Sequence, residues 1–165
     1  MNDEKLIPDL QDWRKYNGKD FSIEDWIRAE GNVRFMIGYS FLLWPDFTEY
    51  DGCIILKAHF NESNFENWKN TESIKNYAQI ESVLNHIHIL DLVGTDEKKD
   101  EVTYEQILFL GNRFCDIYST KLQTEFPEKK FIINFNGNER VNSFEEYQIT
   151  FYQEKNLNRK TKFAD

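Results

Sequence analysis

The chain has 165 residues, of which 40% are hydrophobic and 16% aromatic, enough to exclude intrinsic disorder. A chain of this length buries roughly 70% of its unfolded surface without metal or disulfide support. Its 29 acidic and 20 basic residues give a formal charge of −9, which repels phosphate backbones and membrane surfaces and argues against nucleic-acid and membrane partners.

The N-terminal stretch from Met1 to Asp12 is charged, contains Pro8 and lacks an apolar run of roughly seven residues of the kind an export signal needs. No segment approaches the roughly 18 apolar residues of a membrane span, so the expected address is the cytoplasm.

The first element expected is a helix. Ser22 with Asp25 forms a capping-box pattern, and Glu24 and Asp25 suit the positive end of a helix dipole. Trp26, Ile27, Val33, Met36, Ile37, Ser40 and Phe41 then recur at helical spacing, as an amphipathic stripe expected to run to Leu43, with Gly31 a candidate break. Pro45 ends it.

The next segment, Trp44 to Cys53, alternates aromatic and acidic residues in what should be a loop. Its aromatics are either packed in the core or kept for a partner. In the second case Trp44, Phe47 and Tyr50 are the anchors and Asp46, Glu49 and Asp51 the steering charges of a protein interface. Asp51-Gly52 signals a turn, and Cys53 to Leu56 reads as a short strand rather than one more helical turn.

Ser63 with Glu66 suggests the cap of a two-turn helix carrying Phe65 and Trp68. From Thr71 a long amphipathic helix is expected to about Leu92, burying Ile74, Ile80, Val83, Leu84 and Ile87. Gly94 to Glu101 is charged and should be an exposed loop. Thr103 with Gln106 caps a helix carrying Ile107, Leu110, Phe114, Ile117, Tyr118 and Leu122, which Pro127 ends. Phe131 to Phe135 and Tyr147 to Tyr152 are β-branched and aromatic and should pair as an antiparallel hairpin. The expected class is α+β, mostly helical, in one domain over residues 1–156, with 157–165 as a frayed tail.

Chemistry-bearing patterns are sparse. His86 and His88 are two apart, on nearly opposite sides of a helix, so no metal site is expected; on a strand they would share a face that His59 could join. Cys53 and Cys115 lack ligand spacing and read as buried free thiols. The seven glycines form no phosphate-cradling group, and there is no GxSxG elbow, so no cofactor and no catalytic residue are assigned.

Between Pro45 and Glu105, 13 acidic residues stand against 5 basic ones, a local charge of −8. In size, acidity and lack of catalytic signatures the chain resembles the small immunity proteins of bacterial contact-dependent and polymorphic toxin systems. That resemblance implies a non-enzymatic inhibitor that binds a basic toxin domain and covers its active site. The competing readings are an adaptor or structural interaction protein, and a small enzyme with an unfamiliar carboxylate or Cys-His site.

Overall fold

A computed structural model describes residues 3–92, 102–139 and 141–163. Among them are seven α-helices and five strands: α1 (Asp3–Leu6), α2 (Asp9–Asn17), α3 (Ile23–Glu30), α4 (Val33–Leu43), β1 (Phe47–Tyr50), β2 (Cys53–Leu56), α5 (Glu62–Lys69), α6 (Tyr77–Leu84), β3 (Ile87–His88), α7 (Tyr104–Glu125), β4 (Phe131–Phe135) and β5 (Gln148–Gln153). The fold is α+β. The charged loop expected over 94–101 lies outside the described residues.

The strands form two small antiparallel sheets, a β1–β2 hairpin and a three-stranded sheet ordered β3-β5-β4. In the hairpin, Asp51 and Gly52 both take positive φ, 44° and 68°, the backbone that lets a two-residue turn match the strand twist. The expected C-terminal pair forms, in register from Phe131 opposite Gln153 to Phe135 opposite Ile149.

β2 is buried on both faces. Ile54 and Leu56 face a core made with Ile107, Phe114, Tyr118 and Leu122 of α7 and Ile149 and Phe151 of β5. Cys53 and Ile55 face a second core with Phe65 of α5 and Tyr77, Ile80 and Leu84 of α6. α7 approaches β4 closely at Gly111, where a Cβ would meet the Phe135 ring at 2.2 Å.

The two sheets are joined by side chains of one helix. Glu81, fully buried, accepts from Ile54 N (2.8 Å) and Gln153 Nε2 (2.7 Å) through Oε1, and from Gln153 N (2.8 Å) and Asn156 Nδ2 (2.9 Å) through Oε2. One turn on, Asn85 accepts from Leu56 N (2.9 Å) and donates to the carbonyls of Ile54 (2.8 Å) and Phe151 (3.2 Å). Residues four apart share a helix face, so α6 supplies to β2 and β5 the partners that a continuous ladder would give.

Several expectations are corrected. The helix placed over 71–92 is only α6. Asn76 caps it in a box with Gln79, and Asn85 ends it because its amide is engaged by strand backbone. Ile74, Ile80, Leu84 and Ile87 are nevertheless buried, Ile87 as a strand residue opposite Ile149; Val83 is half-buried. The cap of α5 is Asn61, whose Oδ1 accepts from Asn64 N at 3.0 Å, not Ser63. α1 and α2, held by Arg14 bridging Asp3 and Glu4 at 2.9 Å each, were not expected.

The segment after Leu157 is tied down through residue 163, not frayed. Tyr77 N donates to Arg159 O (2.9 Å), Thr161 Oγ1 to Ile74 O (2.6 Å) and Lys75 Nζ to Phe163 O (2.8 Å). The Arg159 guanidinium lies 3.5 Å from the centre of the Tyr77 ring.

Candidate interaction surfaces

The acidic and aromatic segment singled out in the sequence is a strand and a tight turn rather than a loop, and strand geometry divides its residues. Phe47 points into the core, edge-on to Phe126 and Phe151. Tyr50 packs between Phe60 and Phe65, and its hydroxyl donates to Glu62 Oε1 at 3.0 Å. Asp51 accepts from Lys69 Nζ (2.7 Å), Arg159 Nη2 (2.6 Å) and the Tyr77 hydroxyl (3.1 Å). Partial burial works to raise its pKa, but the Lys69 and Arg159 bonds prevail and hold the carboxyl down to about 2.

Trp44, Asp46 and Glu49 remain at the surface. Trp44 is half exposed, with the Lys121 ammonium 4.8 Å from its ring centre. Asp46 is loosely paired with Lys57 at 3.6 Å, and Glu49 with Lys129 at 2.7 Å. Exposed pairs of this kind are weak and screened by salt, so both carboxylates stay available to another cation.

A larger surface lies immediately upstream. The Ser22–Asp25 capping box forms as expected, but the single helix expected to Leu43 is two. A Cβ at Gly31 would meet the Ile27 carbonyl oxygen at 2.2 Å, and Asn32 restarts the chain as the cap of α4, its Oδ1 accepting from Arg34 N at 2.8 Å. The stripe that should face a core does not. Val33, Phe35, Met36, Ile37, Tyr39, Phe41 and Leu43 are all exposed, Phe35 by 65% and Phe41 by 73%. Only Leu42 is half-buried, on the side where its carbonyl accepts from the Tyr118 hydroxyl of α7 (3.4 Å). The sequence did carry a signal. With Arg34 its one charge, α4 is apolar on every side, whereas a helix lying on its own core keeps a polar outer face.

α6 ends before the pair, with His88 in β3 and His86 just ahead of it, and the two rings come together with centres 4.4 Å apart. Burial, and then the neighbouring His88, push the pKa of His86 down. His59 turns instead to the Leu84 carbonyl, 3.2 Å from its Nδ1. Among the described residues no three His, Cys, Asp or Glu side chains are grouped to hold a metal ion.

Both cysteines are free, Cys53 buried and Cys115 partly so. Cys115 borders a shallow cavity of about 330 Å³ with Asp116, Ser119, Gln123, Phe131 and Ile133. Burial and then Asp116 raise its thiol pKa, away from the thiolate a nucleophile needs. Among the described residues no helix is long and apolar enough to cross a membrane. Compared with protein families, characterised proteins and solved structures, the chain matches none significantly.

Proposed function

We propose that the chain is a protein-binding inhibitor of immunity type, acting in the cytoplasm, that neutralises a basic toxin domain by covering its active site. The observation that carries this reading is the exposed edge of Trp44, Asp46 and Glu49, an aromatic anchor beside two solvent-facing carboxylates. The chain carries a net charge of −9, of which −8 falls in the sequence between Pro45 and Glu105, the stretch that includes Asp46 and Glu49. Such a field speeds encounter with a basic surface, and a half-exposed tryptophan supplies contact area once the partner is seated. A toxin domain that grips nucleic acid is basic for its own chemistry, which makes it the kind of partner this surface attracts.

Affinity purification with the full chain as bait identifies the partner, and surface plasmon resonance against that captured protein tests the edge. Asp46→Lys with Glu49→Lys should slow association, and the loss should shrink as salt rises, because exposed rim charges act on encounter. Trp44→Ala should instead quicken dissociation, by the equivalent of about 1 kcal/mol or more for an anchor. Rates unchanged in every variant, or a partner without a basic surface, reject the reading.

A further inference from the structure

We infer that α4 is the core of a two-fold homodimer, its exposed sides covered by α4 of a second copy. Four observations carry this beyond the inhibitor reading, and they involve different residues.

The first is area. Seven of the eleven residues of α4 are large apolar side chains at least 40% exposed, a continuous apolar surface of the kind that marks an interaction site. A stable interface takes ~800 Å² from each partner, which a two-fold contact centred on this helix draws from both copies of it. The second is composition. Helices apolar on all sides occur inside cores or membranes. At 11 residues α4 is about 16 Å long and cannot span a bilayer, which takes about 20 residues. Permanent homodimer interfaces resemble such a core cut in half.

The third is charge. Two copies of −9 repel, yet α4 carries only Arg34, so copies can meet here without opposing their carboxylates. A lipid surface fits less well, because Glu24, Asp25 and Glu30 on α3 and Asp46 beyond the helix flank the patch and repel anionic headgroups.

The fourth is Gly38. Glycine in a helix interior is destabilising relative to alanine, and a Cβ at Gly38 would meet none of the described residues within 4 Å. Among the described residues nothing accounts for it, whereas close approach of a second helix does. The choice of a copy over a foreign protein has one further ground, which rests on the inhibitor reading. An inhibitor must persist before its target arrives, and the one protein always present with it is itself.

Sedimentation equilibrium of the full chain over a hundredfold concentration range tests the inference. Twice the 19.9 kDa chain mass is expected at all but the lowest concentrations. Phe35→Asp with Phe41→Asp should give a folded monomer by circular dichroism. Gly38→Leu should weaken the dimer at least tenfold, while leaving the melting temperature of the dilute monomer the same or higher, a combination that simple misfolding does not produce. A wild-type monomer at every concentration overturns the inference, as does a dimer indifferent to both variants. So does a monomer that floats with phosphatidylcholine vesicles, since lipid is then the occupant. None of these variants alters Asp46 or Glu49, so failure here and failure of the inhibitor reading are separable.

Discussion

α4 and α6 invert each other. α4 is almost wholly apolar and lies in solvent, whereas α6 places a carboxylate at full burial and is followed by a fully buried asparagine. The expectation of apolar inside and polar outside fails along α4 for its apolar residues and at Glu81 and Asn85 for polar ones, for opposite reasons. Glu81 and Asn85 are inside because backbone groups of β2 and β5 have no strand between them and need partners, and a buried polar group that completes such bonds avoids the cost of leaving them unmet. α4 is outside because, among the described residues, only α7 packs against it appreciably, on the Leu42 side. Burial therefore follows which unmet need a residue answers, a hydrogen bond in one case and contact with another molecule in the other.

The comparison can be broken at several points, and the largest effect belongs to Glu81. Glu81→Ala strands four buried donors at about 1–3 kcal/mol each, so a loss of at least ~4 kcal/mol is expected in urea unfolding, with Glu81→Gln less damaging because one acceptor oxygen survives. A near-neutral result would show that the two sheets do not depend on it.

Leu84→Ala, beside it in the second core, should cost about 2–5 kcal/mol by the same measurement.

Acid comes next. Asp51 and His86 both have lowered pKa values in the folded state, so each contributes stability that is full above its unfolded value and lost as pH falls. The His86 share should begin to go below about pH 6.5, the ordinary histidine value, and the Asp51 share below about 4, disappearing towards 2. Asp51→Asn should flatten the lower part of the melting-temperature profile and leave the upper part intact.

Smallest of all, Phe41→Ser should alter the stability of the dilute monomer by no more than about 0.5 kcal/mol, the range of exposed positions, despite removing a large aromatic. A drop like that of Leu84→Ala would place α4 back within the monomer core.

Local signals were legible wherever a few neighbouring residues decide the outcome. The boxes at Ser22–Asp25 and Thr103–Gln106, the Asp51-Gly52 turn and the β4–β5 pair all formed as read. The failures share a cause: the deciding partner is far along the chain. Asn85 stops α6 through bonds to residues 54 and 151, which no window around it contains. Helical period continued through Ile87 because that strand residue is buried at the expected spacing by coincidence, in the first core, whereas Ile74, Ile80 and Leu84 are in the second. The Leu157 segment looked like a tail because its anchors, Asp51, Ile74, Lys75 and Tyr77, lie at least 80 residues back. For the candidate surface, the sequence identified the aromatic and acidic segment, but the two faces of β1 turn Phe47 to the first core and Tyr50 to the second, leaving Trp44, Asp46 and Glu49 exposed. It also proposed an amphipathic stripe along α4, where apolarity on every side pointed outward.

The position of Cys53 turns the joint between the sheets into a chemical clock. Its sulfur is sealed beneath the strand, 3.8 Å from the Asn156 amide, and burial followed by the nearby Glu81 charge pushes its thiol pKa up. A thiol-reactive dye therefore modifies Cys53 only in molecules whose β2 has let go of α5 and α6, while the partly exposed Cys115 reacts without waiting for that event. One labelling time course thus records two intervals, the first set by local access and the second by how often the second core opens over β2.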